Sequence, residues 1–342
     1  MKINCKLCKQ EKEAKPNTHF LSDFIIKTAL NKNGKSERNT GLYFEIDSGK
    51  SSVNFNYQQI DSQDVEKYLG RKVTEEEIKN SIKKKDFAVD DSFCKDCENK
   101  FTLIENTFNN KLLNSFRKSD LTNKEELILN EDNSKLIRMF FLLQFWRVSV
   151  CNYTFTLSEA MSEFLRIKIL NNDYNQLEYI PLSITYLETV RDAGDDETEK
   201  YKTNNLVNPL ELKNPYILLM NDFILQLYDK EPFNFDVFFG INKLEDFKDF
   251  LNHHKLNFKV KIVSNTNRKI YLNKLNSKVA IDVIDIIVEK FKIMFFSEFN
   301  IFPIENEIKE YLNSFIKNEN FNLLDEYIKE FNRSYFEKLK KY

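Results

Sequence analysis

Cys5-Lys-Leu-Cys8 and Cys94-Lys-Asp-Cys97-Glu98 are the stretches whose reading decides the fold. Each begins with a CxxC pair, and together they use four of the five cysteines in the chain. Two such knuckles supply four thiolates, the ligand set of a tetrahedral structural zinc site. Two redox pairs or a disulfide framework would use the same residues differently. A redox CxxC normally caps a helix beside a βαβ unit, and the residues around Cys5 do not read that way. The chain opens Met-Lys-Ile-Asn without an apolar leader, which sets the expectation against an oxidising compartment and against disulfides. The expectation is a structural Zn²⁺ held by Cys5, Cys8, Cys94 and Cys97. Cys151 falls in an apolar helical stretch and reads as an ordinary buried thiol.

Outward from the first knuckle, a helical turn is expected through Leu21–Leu30, then a polar turn over Asn31–Lys35. Leu42-Tyr-Phe-Glu-Ile46 and Val53-Asn-Phe-Asn-Tyr57 alternate around Asp47-Ser-Gly-Lys50 and predict a β-hairpin. Thr74-Glu-Glu-Glu77 fits a capping box for a helix ending near Lys83-Lys-Lys85. Beyond the second knuckle, Phe101, Ile104, Phe108 and Leu112 recur at helical spacing across Glu98–Phe116. These elements define a module of residues 1–120, with the hairpin and helix inserted between its knuckles. Ser119–Lys124 is a polar linker. Residues 121–342 form the second domain, mostly helical α+β, with a further division near residues 175–205 as an alternative. Within it, Leu136–Tyr153 and Leu157–Leu170 read as helices, and Tyr179–Val190 and Tyr216–Tyr228 as strands. Arg191–Lys202 is an acidic loop. Phe258–Val263 and Lys269–Leu272 read as a hairpin around Ser264–Arg268, and Val279–Tyr342 as largely helical.

Hydrophobic residues make up 42% of the 342 residues, with 31 Phe, so the chain is globular and long enough for a sizeable core. Lys and Arg total 51 against 53 Asp and Glu, and that balance carries no global signal for nucleic acid or membrane. The longest apolar run, Met139–Trp146, stops at Arg147 and is too short to span a bilayer. A cytoplasmic protein with no membrane partner is expected.

The ordered set Cys5-x-x-Cys8, Thr18-His19, Cys94-x-x-Cys97-Glu98-Asn99 resembles the zinc-knuckle subclass of HNH, or ββα-metal, nucleases. The resemblance implies a small zinc-stapled ββα-metal module, giving an α+β chain overall. It implies that His19 is the general base on the attacking water and that Glu98 ligates a catalytic Mg²⁺ or Mn²⁺. Glu105, seven residues after Glu98, shares its helix face and is an accessory candidate. Asn99 could orient a ligand or contact phosphate. The family usually places an acidic residue or His before the catalytic His, and here Thr18 stands there. Asp23, four residues after His19, could substitute for it. Phe141-Leu-Leu-Gln-Phe-Trp-Arg-Val-Ser149 and Glu163-Phe-Leu-Arg166 extend a likeness to a group of bacterial HNH-like proteins to about residue 170. In that group Ser or Thr often precedes the His.

Three functions are therefore weighed. The first is a metal-dependent endonuclease on DNA, or alternatively RNA, in bacterial defence or a toxin-like role. The second is a catalytically degenerate zinc module that binds nucleic acid or a partner protein, such as one of a defence system. In the third, the C-terminal domain carries the activity or senses a ligand. Trp146 reads as core, and Arg147 as satisfying a carboxylate or capping a helix. Arg138, Arg147 and Arg166 could alternatively line a phosphate-facing groove.

Overall fold

A computed structural model describes residues 1–30, 42–47, 50–55, 66, 71–72, 74–76, 87–119, 121, 123–151, 156–188, 207–210, 215–233, 248–317 and 325–340. In chain order these include β1 (Lys2–Asn4), β2 (Glu11–Glu13), β3 (Thr18–His19), α1 (Asp23–Leu30), β4 (Leu42–Asp47), β5 (Lys50–Phe55) and β6 (Ala88–Val89). There follow α2 (Lys95–Phe108), a π-helical turn (Asn109–Leu113), α3 (Asn114–Lys118), β7 (Glu126–Ile128), α4 (Glu131–Cys151) and α5 (Glu159–Asn171). Then come β8 (Leu182–Leu187), β9 (Val207–Leu210), β10 (Tyr216–Met220), β11 (Phe223–Leu227), β12 (Lys259–Val263), α6 (Asn265–Phe299), α7 (Glu305–Ile316) and α8 (Asp325–Leu339). The fold is mixed α+β. No described helix is long and apolar enough to cross a membrane.

The chain divides into two compact units. One comprises Met1–Glu37 and Lys85–Lys274, the other Arg38–Lys84 and Leu275–Tyr342. In the first, a six-stranded sheet has the order β7-β12-β8-β11-β10-β9. All its pairings are antiparallel except β12 with β8, where Lys261 stands level with Thr185. The expected strand over Tyr216–Tyr228 is in fact two. Asn221 takes a positive φ of 59° at the turn, a conformation asparagine tolerates, and folds β11 back on β10. The expected hairpin after Phe258 is half present. Its first arm is β12, but Lys269–Leu272 lies inside α6, because Ser264 caps a helix start through Arg268 N to its carbonyl (2.8 Å).

Helix α4 runs through the middle of this unit. Asn130 caps it, accepting from Asn133 N (3.0 Å), and its residues are buried almost without interruption from Leu136 to Val148. That follows from a sequence apolar on every side, which has to be surrounded by other elements. Phe140 stacks on Phe108 of α2 with ring centres 3.9 Å apart, and Phe141 packs on Phe223 of the sheet. One continuous core cluster therefore reaches from Cys5, Leu7 and Phe20 through α2 and α4 to Val260 and Ile262. The boundary expected at residue 120 falls within this shared core, because α4 supplies the apolar surface that covers α2.

In the second unit β4 and β5 form the expected antiparallel pair, with Asp47 opposite Lys50. The helices here pack an aromatic cluster in which Phe291 stacks on Tyr311 (3.9 Å). The turn expected at 31–35, the loop at 191–202 and nearly all of the helix expected over 74–85 lie outside the described residues.

Candidate metal centre

The first knuckle is a tight backbone loop. Cys5 N donates to the Gln10 carbonyl (3.0 Å) and Lys9 N to the Cys5 carbonyl (2.8 Å), while Lys9 takes a positive φ of 59°. Cys94 forms the second knuckle at the start of α2, where Glu98 N donates to its carbonyl (3.0 Å). The two halves are tied across the chain. Ala14 bridges Cys94, Lys15 N donates to the Phe93 carbonyl (2.8 Å), and Lys6 N donates to the Ser92 carbonyl (2.9 Å). Cys94 N also donates to Cys5 Sγ at 3.4 Å.

The sulfurs of Cys5, Cys8, Cys94 and Cys97 lie within 4.8 Å of one another and could hold a metal ion such as zinc. Tetrahedral Zn–S bonds of about 2.3 Å require sulfurs about 3.8 Å apart, so a small contraction closes the set. Three of the four cysteines are buried. The Cys97 thiol hydrogen-bonds to Cys5 and holds it down to about 4, and the same bond raises Cys97.

Side chains from α4 and α5 brace the knuckles. Arg166 donates to the Leu7 carbonyl (2.6 Å) while its fork engages Glu163. Lys6 Nζ donates to the Val150 carbonyl. Phe93, Phe101 and Trp146 pack together beneath them, with ring centres 5.0 to 6.3 Å apart. Cys151 is partly buried, and that burial pushes its thiol up to about 11.

Next to the metal centre, β3 pairs with β6, Thr18 opposite Val89 and His19 opposite Ala88, and the chain then passes through the second knuckle into α2. Thr18 is buried, and its hydroxyl donates to the Lys15 carbonyl (3.0 Å). That hydroxyl also lies against Glu98, one turn into α2. Burial raises Glu98 above the ordinary carboxylate range, with Arg147 pulling in the other direction. Among the described residues, Glu98 Oε2 is a buried atom with no hydrogen-bond partner. His19 projects from the other side of the strand, 22% exposed, with Nε2 3.9 Å from Asp23 Oδ1. Asn99 is exposed on α2.

Glu105 has a different setting from Glu98. It accepts from Ser22 Oγ and from Arg147 of α4. Arg147 also donates to Gln144 Oε1 (2.9 Å), to Ser22 Oγ (3.1 Å) and to the His19 carbonyl (2.9 Å), and its guanidinium lies 5.2 Å over the Phe101 ring. Gln144 in turn accepts from Ser22 N (3.0 Å). The expectation that Arg147 satisfies a carboxylate holds, with Glu105 as the partner. Arg138 is equally buried and donates to the carbonyls of Leu177, Ile180, Asn252 and Lys255. Arg138 and Arg147 therefore face the interior, and no phosphate-facing groove is built from them. A pattern search would have missed the Ser22–Gln144–Arg147–Glu105 network, whose members are widely spaced in sequence. The usable signal was a Gln and an Arg within an otherwise apolar helix, since such groups persist there only when partnered.

Comparison of the chain with protein-family models, with curated proteins and with solved structures finds no match.

Proposed function

We propose that this chain is a metal-dependent nuclease of the HNH type, with Cys5, Cys8, Cys94 and Cys97 holding a structural zinc ion that staples a ββα-metal module. The observation that carries the reading is the surroundings of Glu98. The strand bearing Thr18-His19 pairs with the strand that enters the second knuckle. The helix after that knuckle brings Glu98 to Thr18, and one oxygen of Glu98 is buried without a partner among the described residues. A buried carboxylate oxygen of this kind suits a hard divalent cation. Glu98 would hold a Mg²⁺ or Mn²⁺, which would supply charge stabilisation at a phosphodiester. His19, partly exposed beside Asp23, would take a proton from the attacking water. Asn99, exposed beside Glu98, could contact phosphate. The substrate class is DNA or RNA, in a setting of bacterial defence or a toxin.

A second reading has its own observations. The Thr18 hydroxyl already donates to the Lys15 carbonyl, and Glu105 is committed to Arg147. The accessory carboxylate is therefore engaged, as expected of a zinc module that binds nucleic acid or a partner protein without cutting. Plasmid and RNA cleavage in Mg²⁺ or Mn²⁺ separates the two. His19→Ala and Glu98→Gln are expected to slow cleavage by about 10²–10⁴-fold with zinc content unchanged. Equal rates in wild type and His19→Ala would sink the nuclease reading and leave the binding module.

A further inference from the structure

The C-terminal part of α6 sends Ile287, Phe291 and Phe295 into the aromatic cluster of the second unit, beside Tyr311 and Phe315 of α7. Those three positions recur at four-residue spacing and account for one face of the helix. The opposite side is apolar as well. Ile293 is 66% exposed and Phe296 42%, and the turn into α7 adds Ile301 (60%), Phe302 (66%) and Ile304 (63%). Ile293 and Phe296 lie one turn apart on the same side of the helix. The Phe296 ring stacks on that of Phe302, with centres 4.7 Å apart and planes 23° from parallel. That contact joins the helix face to the turn and makes one stripe.

Single exposed apolar side chains are ordinary, whereas contiguous ones mark contact surfaces. Elsewhere the large exposed hydrophobics, such as Leu103, Ile128 and Leu256, are spread singly along the chain. Here five fall between Ile293 and Ile304. Together they leave roughly 600 Å² open, the upper end of the largest patch on a typical monomer. A homodimer interface takes about 800 Å² from each chain, about 65% of it apolar, so the stripe matches the apolar centre of one.

The border narrows the partner's chemistry. Glu289 pairs with Lys292 and Glu305 with Lys309, both at 2.7 Å, and Lys340 pairs with Glu298. Glu307 accepts from the Ile304 amide (2.7 Å). Each of these acids has its own base or amide, so they give the border no field of one sign. A nucleic acid or an anionic bilayer gains little charge attraction from such a border. A second copy meets no block of like charge in it.

We propose that the stripe of Ile293, Phe296, Ile301, Phe302 and Ile304 is where a second copy of the chain docks, the two stripes facing each other across a two-fold axis. Such a contact needs a self-complementary patch, and an apolar stripe with a self-neutralised border is one. Phe296 and Phe302 supply the aromatic anchors that dominate interfaces of this kind. The inference stands apart from the nuclease reading, since the stripe shares no residue with the cysteine cluster or with the surroundings of Glu98.

Sedimentation velocity and light scattering of the full chain provide the test. The wild type is expected to pass from monomer to dimer between about 0.1 and 100 µM. Phe302→Asp and Ile293→Asp should each weaken association at least about tenfold and leave the melting of the dilute monomer unchanged, because both side chains are exposed. Leu256→Asp, at a comparably exposed apolar residue elsewhere (59%), should leave the dimer intact. A wild type still monomeric at about 100 µM overturns the proposal. So does a dimer that survives both stripe substitutions, or one weakened equally by Leu256→Asp. Flotation of a monomeric wild type with phosphatidylcholine vesicles would assign the stripe to a bilayer and overturn it as well.

Discussion

Arg147 touches His19, Ser22, Gln144 and Glu105 at once, so its removal leaves several groups without a partner in a dry environment. Breaking a buried ion pair from one side costs about 3–5 kcal/mol, mostly through the charge left behind. Arg147→Met is therefore expected to lower the unfolding free energy in urea by that amount. The double variant Arg147→Met with Glu105→Gln should lose less than the two single losses combined, because it removes both charges. Lys9 makes a smaller case. It holds a left-handed conformation that glycine adopts without a Cβ clash, and Lys9→Gly should raise stability by about 0.5–1 kcal/mol in the same measurement. Cys151 gives a pH prediction. With its thiol pushed up to about 11, only about a thousandth is thiolate at pH 8, since the reactive form appears as pH rises through the pKa. Iodoacetamide at pH 8 should spare Cys151 in the folded chain and label it after denaturation, which peptide mass mapping reads directly. Rapid labelling in the native state would contradict the burial.

At the scale of elements, the four-cysteine cluster joins a backbone loop to a helix start, and neither half has enough local contacts to hold its shape alone. Cys94→Ser, or removal of metal with a chelator, is expected to release about one metal equivalent per chain and to loosen β1, β2, β3 and β6 together. Hydrogen exchange should then accelerate at Lys6, Lys15 and Phe20, whose amides bond across the two halves. Slow exchange retained at those amides without metal would show that packing on Trp146 suffices. The knuckle spacing and the helices α2, α4 and α5 were legible because their signals are local: CxxC pairs and apolar runs or periods of helical length. The strand over Tyr216–Tyr228 was not, since an apolar run conceals the turn at Asn221 that splits it. Lys269–Leu272 looked like a strand because β-branched and aromatic residues favour one. The Ser264 cap and the continuing helix outweigh that weak preference.

For the molecule as a whole, the core that begins at Cys5 and ends in the central sheet strands has consequences for truncation. A fragment of residues 1–120 keeps all four cysteines but loses α4, which covers Phe101 and Phe108 and bonds the backbone at His19. It is expected to remain unfolded by circular dichroism with zinc present, and a cooperative melt of that fragment would refute the shared core. The sequence by itself determined the four-cysteine ligand set, the mixed α+β class and the all-round apolar helix at the centre of the first unit, because those depend on residue type and short spacing. Tertiary structure alone decided that Thr18 meets Glu98, that Glu105 is spent on Arg147, and that β12 lies parallel to β8. Each of those is a pairing between residues far apart in the chain, chosen by which buried polar groups can satisfy one another once the apolar surfaces have closed.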